Sequence, residues 1–298
     1  MNSTPVIDMF SGTGQLAVAV TRTIHESTRL VSFSDNYGPA RKYLKHRFLD
    51  ARIAQDFRHQ DVPEGSIVAI GAPRQDLNAA AEDVATGRGT GPRSSLTYDA
   101  IGMAAVGGAD LIVAENVPAG HSVYLSIADR LAKEYGYHTT VSSAGAWEVG
   151  APHRRERIML VAARRHFEVH RVNVIRQVAP AGLIPTPTAS SSTGPGRSGR
   201  RGGANLQTRV HEGPDLDPAL IITWARVVEE FHPPLMDVEN RLNAAFVEWL
   251  MGLPTDNAAN LSRCARIRLA GNAVVGLQAR LMLQRGLTAT DDTRGTLR

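Results

Sequence analysis

Five short, largely apolar runs, separated by stretches of helical periodicity, constrain this chain more than any other feature. They are Pro5–Phe10, Leu30–Ser34, Ile67–Gly71, Asp110–Glu115 and Ile158–Ala162. Runs this short suit strands better than helices, and their apolar character on both alternating faces suits strands covered on both sides. Residues 15–25 and 38–48 read as helices between the first three runs. The alternation predicts an α/β fold: a doubly wound, mostly parallel sheet with helices on both faces.

The pattern breaks after residue 164. The stretch Pro185–Gly203 is rich in Pro, Ser, Thr, Gly and Arg and has too little apolar surface to fold alone. Between 164 and 215 there are eight arginines against three acidic residues. Helical periodicity returns at Leu220–Glu230 and Leu242–Leu253, and Val274–Leu283 reads as a final helix. A length of 298 residues supports a full core, in one large domain or a large one with a small one. A net charge of +4 suits an anionic polymer and equally a solvated surface, whereas the local arginine excess points to nucleic acid. No apolar run is long enough to span a membrane, and the first residues lack the basic and apolar regions of a signal peptide. The lone Cys264 excludes an internal disulfide and suits a cytoplasmic setting.

The end of the first run, Asp8-Met9-Phe10-Ser11-Gly12-Thr13-Gly14, places two glycines at a turn before a helix, where the backbone can approach a ligand closely. Asp35 follows the second run, where a carboxylate can accept ribose hydroxyls. Asp61, further on, could accept an exocyclic amine of adenine. Singly, Asp35 reads as a helix cap and Asp61 as a turn residue. Their order and spacing together favour a nucleoside cofactor.

With these residues in place, the chain resembles the DNA cytosine carbon-5 methyltransferases over nearly its full length. The matching strings, in the family's order, are Asp8–Gly14, Asp35, Asp61, Pro73-Arg74-Gln75, Glu115-Asn116-Val117, His153-Arg154-Arg155-Glu156-Arg157, Phe246–Pro254 and Gly271-Asn272. The resemblance implies a Rossmann-like, S-adenosylmethionine-dependent methyltransferase fold with a small target-recognition domain. The implied organisation is a cofactor-binding and catalytic domain over 1–164, a target-recognition region over 165–235, a return to the catalytic domain over 236–289 and a disordered tail over 290–298. Phe10, Gly12, Thr13, Gly14, Asp35, Asn36, Asp61, Val62, Pro73, Leu96, Asn272 and Ala273 would hold S-adenosylmethionine, and no metal is implied. Glu115 would stabilise the protonated cytosine ring, while Arg155 and Arg157 would hold its carbonyl oxygen and the backbone phosphate; outside this context both arginines read as a solvated basic turn. Gln75, Arg197, Arg200 and Arg201 would contact DNA carrying a flipped cytosine. RNA suits the same chemistry.

The family's nucleophile is the cysteine between that Pro and Gln, and here it is Arg74. Carbon 5 of cytosine becomes nucleophilic only after a thiolate adds to carbon 6. A guanidinium stays protonated and has no lone pair to donate. Carbon-5 transfer by that route is therefore disfavoured, and four readings follow. The protein is a non-catalytic binder acting as a regulator or subunit; or an enzyme doing other chemistry on a flipped base, with Arg74 as an electrostatic group; or Cys264 supplies the thiolate; or the substitution is a change from an active parent. A lone cysteine is more often a small packing residue. Amine methylation is a competing class, but Pro233-Pro234 has neither the flanking acid nor the following aromatic that it needs. A small-molecule methyltransferase would explain neither Glu115-Asn116-Val117 nor the basic second region.

Overall fold

Thr4–Met9 forms β1, whose Val6, Ile7 and Met9 are wholly buried, as a central strand covered on both faces requires. The computed structural model describes residues 3–73, 95–192, 205–211, 216–254 and 260–295. These fall into two compact units, one of Met1–Ala144, Glu156–Val172 and Ala279–Arg298, the other of Gly145–Arg155 and Asn173–Gln278.

The first unit carries the sheet. After β1 come α1 (Gln15–Thr21), β2 (Thr28–Ser34), α2 (Gly38–Arg47), β3 (Arg52–Ala54) and β4 (Ile67–Gly71). Then follow α3 (Ser95–Val106), β5 (Leu111–Asn116), α4 (His121–Tyr135), β6 (His138–Gly145) and β7 (Glu156–Ala163). The strand order is β3-β2-β1-β4-β5-β7-β6. β1 pairs in parallel with β2 and β4, β2 with β3, and β4 with β5, while β7 runs antiparallel to β5. The chain thus steps outward from β1 to β3 and returns on the other side as β4. That reversal opens a crevice at the carboxyl ends of β1 and β4, the usual ligand position in such sheets.

Local sequence explains the helices. α2 starts with Pro39 in its first turn and ends with Lys45, His46 and Arg47, which complement the helix dipole. α4 buries Val123, Tyr124, Ile127, Ala128 and Leu131 on one face and stops at Gly136, which is left-handed at φ 71°. One face of the sheet, with Ile7, Met9, Ile70, Ile112 and Leu160, packs on α3 and α4. The helix α9 (Gly276–Gly295) belongs to the first unit from Ala279 onward. A Cβ added to its Gly286 would lie 2.5 Å from Cγ2 of Val161 on β7, so the missing side chain lets helix backbone and strand meet. α9 continues to Gly295, through most of the expected tail.

The second unit holds α5 (Leu206–His211), α6 (Pro218–Val228), α7 (Ala244–Leu250) and α8 (Arg263–Asn272). Asp217, Asn243 and Ser262 cap α6, α7 and α8 through side-chain acceptors. Trp224 and Trp249 are buried, each donating its indole N–H to a backbone carbonyl at 2.9 Å. Glu248 and Arg266 join α7 to α8 through two bonds of 2.8 and 2.5 Å. The expected return at 236 falls inside this unit, which runs to Gln278.

Candidate functional site

The turn after β1 sits at the crevice. Phe10, Gly12 and Gly14 all have positive φ, at 55°, 53° and 70°. A Cβ on Gly14 would approach Phe48 at 2.7 Å, and one on Gly71 would approach the Phe10 carbonyl oxygen at 2.8 Å. The ends of β1 and β4 therefore meet as backbone against backbone. Ser11 donates its hydroxyl to Asp8 and accepts the Ser34 amide, which ties the turn to β2. Asp35 accepts Gly12 N–H through Oδ2 and Tyr37 N–H through Oδ1, both at 2.8 Å. Burial raises the Asp35 pKa, opposed by those two amides and by Arg41. The carboxylate is held against the glycine turn, with lone pairs left for further donors.

Asp8 lies beneath this turn, 1% exposed. Among the described residues neither of its side-chain oxygens makes a hydrogen bond of good geometry, the Ala17 amide being a weak neighbour. Burial, then the charge of Asp35, pushes its pKa well above the ordinary carboxylate range, against the weaker pull of the Ala17 amide. A carboxyl shifted upward binds its proton more tightly in the folded chain, so it erodes stability as pH rises from the unfolded pKa toward the folded one. Asp8→Asn should therefore gain stability relative to the natural chain as pH rises across that window. Thermal melts from pH 4 upward check this, and a constant difference would mean that folding does not shift the Asp8 pKa.

A hollow of about 160 Å³ opens beside the turn, lined by Phe10, Asp35, Asn36, Asp56, Phe57 and Leu96 among others. The rings of Phe10 and Phe57 lie 5.0 Å apart. Asp56 lies two residues past the carboxyl end of β3 and caps a short 3-10 turn by accepting Arg58 N–H. The expected Asp61 is not brought here. Its side chain is 93% exposed and 3.5 Å from Arg52. Val62 instead packs where a Cβ on Gly107 would come within 2.7 Å of it. Both precede β4 and lie toward its amino end, whereas a residue just past a strand's carboxyl end faces the crevice. Asp56 and Phe57, which the sequence reading does not single out, line the hollow instead. The one available signal was an acid just after the three-residue strand Arg52–Ala54.

The end of β5 carries the second constellation. Glu115 is paired with Arg157 of β7, Oε1 to Nε at 2.8 Å, with side chains only 13% and 7% exposed. Arg157 also donates to the Glu156 carbonyl at 2.6 Å. Asn116 donates to the Ala72 carbonyl at 3.1 Å and accepts Val117 N–H at 2.7 Å. It thereby fixes the backbone just before Pro73.

The C-5 cytosine-specific DNA methylase profile matches residues 4–191, which include both constellations. The chain belongs to that family. Solved structures agree in fold. The Entamoeba histolytica methyltransferase EhMeth superposes with a TM-score of 0.59 at 16% identity, covering 98% of this chain and 99% of that one. A candidate DNA modification methyltransferase from an E. coli prophage gives 0.58 at 15%, covering 97% and 100%. A Spodoptera frugiperda DNMT2 mutant gives 0.55 at 16%, covering 95% and 99%. No curated protein matches.

The other positions that the methylase resemblance assigned are placed variously. Thr13 is buried, and its carbonyl accepts from Arg47 at 3.2 Å. Arg155, in the second unit, is 2% exposed and donates to the carbonyls of Pro187, Gly271 and Ala273. Its guanidinium is thus engaged by backbone, where the resemblance had it on substrate. Gly271 is required by packing, because a Cβ there would lie 2.3 Å from the Thr188 carbonyl carbon. Asn272, exposed, and Ala273, buried, close α8 in the same unit. His153 is buried, with Nε2 2.9 Å from the Leu250 carbonyl oxygen. Cys264 is exposed on α8, its sulfur 3.6 Å from the Ser192 carbonyl oxygen. Arg74, Gln75, Arg197, Arg200 and Arg201 lie outside the described residues.

Proposed function

We propose that this member of the C-5 cytosine-specific DNA methylases binds S-adenosylmethionine and a flipped base of DNA, and that it does not perform carbon-5 transfer by the thiolate route. The observation that carries the reading is the hollow at the switch point. Two aromatic rings and two carboxylates line it, a set that suits a flat heterocycle bearing an amine and a sugar bearing vicinal hydroxyls. Phe10 and Phe57 would cover the adenine, Asp56 would accept its amine, and Asp35 would accept ribose hydroxyls. Asp56 and Phe57 would stand at the adenine in place of Asp61 and Val62, which the family resemblance assigned to the cofactor. S-adenosylmethionine, when bound, supplies an activated methyl group.

Glu115, oriented by Arg157, would accept the N–H of the protonated ring nitrogen of an extruded cytosine. Arg74 stands where the thiolate belongs and cannot add to the ring. The basic residues of 165–235 would hold the phosphate backbone. The reading of Cys264 as the nucleophile has less support, since a lone cysteine is more often a small packing residue and this thiol is engaged by the Ser192 carbonyl oxygen.

Calorimetry with S-adenosylhomocysteine tests the cofactor reading, with saturable 1:1 binding expected and no binding at millimolar ligand overturning it. Methyl transfer to DNA and to RNA, measured for the natural chain and for Arg74→Cys, tests the rest. Equal transfer by the two chains would overturn the proposed loss of chemistry.

A further inference from the structure

Arg58 stands at the rim of the hollow and is assigned nothing by the reading above. Its backbone N–H donates to Asp56 Oδ1 at 3.0 Å. Its guanidinium reaches Asp56 Oδ2 at 3.3 Å through one nitrogen and Asp99 Oδ2 of α3 at 3.2 Å through another. The same guanidinium lies 4.9 Å from the centre of the Phe57 ring. Leu96, one turn before Asp99 on α3, lines the hollow. Arg58 therefore touches the acid, the aromatic wall and the helix that together bound one end of the cavity.

We propose that Arg58 is a positioning residue for the cofactor pocket, fixing the Asp56 carboxylate for an exocyclic amine and tying it to α3. The physical argument concerns orientation. An aspartate carboxylate turns about two side-chain torsions and can present its oxygens in several directions. A guanidinium bound on one side leaves the remaining lone pairs of Asp56 aimed at the hollow. The bridge to Asp99 holds Leu96 against the same space. The inference rests on the proposed cofactor reading, and the experiment separates the two.

Calorimetry compares S-adenosylhomocysteine with its inosine analogue, in which a carbonyl replaces the amine. The natural chain should prefer the adenosine form, because Asp56 accepts from an amine and repels a carbonyl oxygen. Arg58→Met should weaken the adenosine form by about fivefold, the scale of a partly exposed ion pair, and weaken the inosine form much less. The preference between the two should shrink. Arg58→Lys should restore part of the preference, and Asp99→Asn should reproduce part of the loss. If Arg58→Met weakened both ligands equally, or neither, the positioning role would be overturned. If the natural chain bound neither ligand, the cofactor reading itself would fall, and the positioning role with it.

Discussion

Arg74→Cys is expected to transfer methyl groups to DNA where the natural chain transfers none above background. The expected gain is large because the missing part is the nucleophile. Breaking a catalytic unit at that point costs on the order of 10⁶ in turnover in well-studied enzymes. A cysteine restored without accompanying adjustments should recover a part of this, on the order of 10³-fold or more. The surrounding groups are in place for it: Glu115 and Arg157 are paired at 2.8 Å, and Asn116 holds Ala72, two residues before position 74. Tritiated-methyl transfer to duplex DNA, scored by base analysis, reads the outcome. A natural chain as active as the variant would sink the prediction. Activity of the natural chain that vanished in Cys264→Ser would move the nucleophile to α8. A silent variant that still bound S-adenosylhomocysteine would mark a binding protein rather than a silenced enzyme.

The second large effect is on stability. Arg157→Leu should cost about 3–5 kcal/mol, because it leaves the largely buried Glu115 without its counter-charge. The double change Glu115→Gln with Arg157→Leu should recover much of that loss, since the penalty comes from the stranded charge more than from the missing attraction. Urea unfolding of the three variants measures both quantities. A loss under about 1 kcal/mol in the single variant would place the pair among solvated ion pairs. It would also remove the physical basis for Arg157 as the group that orients Glu115.

Much of the fold was legible because the central strands are buried on both faces and so consist almost wholly of large apolar residues. Ile67–Gly71 was read at its observed bounds, and β1, β2, β5 and β7 within a residue or two. β6 was not seen, because His138–Gly145 is mostly half-exposed and its Thr and Ser residues carry little periodicity. The antiparallel direction of β7 has no local signature, since pairing direction is set by the path of the chain. β3 escaped notice for its length, three residues with Ile53 the one large apolar side chain among them. Without the end of β3, the acid that lines the hollow, Asp56, cannot be told in the sequence from the other acids nearby, Asp61 among them. Glu115 and Arg157 were legible singly, through family resemblance, but their pairing was not. Arg155 illustrates the opposite case. A basic residue in a motif suggests a ligand, and only packing reveals that backbone carbonyls have claimed it.

The Asn116 amide grips the main chain of residue 72, through a carbonyl that any residue would supply there. Architecture and reactivity are thereby separable at this corner of the molecule. A lineage could exchange side chains along this stretch while the strand ends kept their alignment, because the tie is made to main chain and not to any particular residue type.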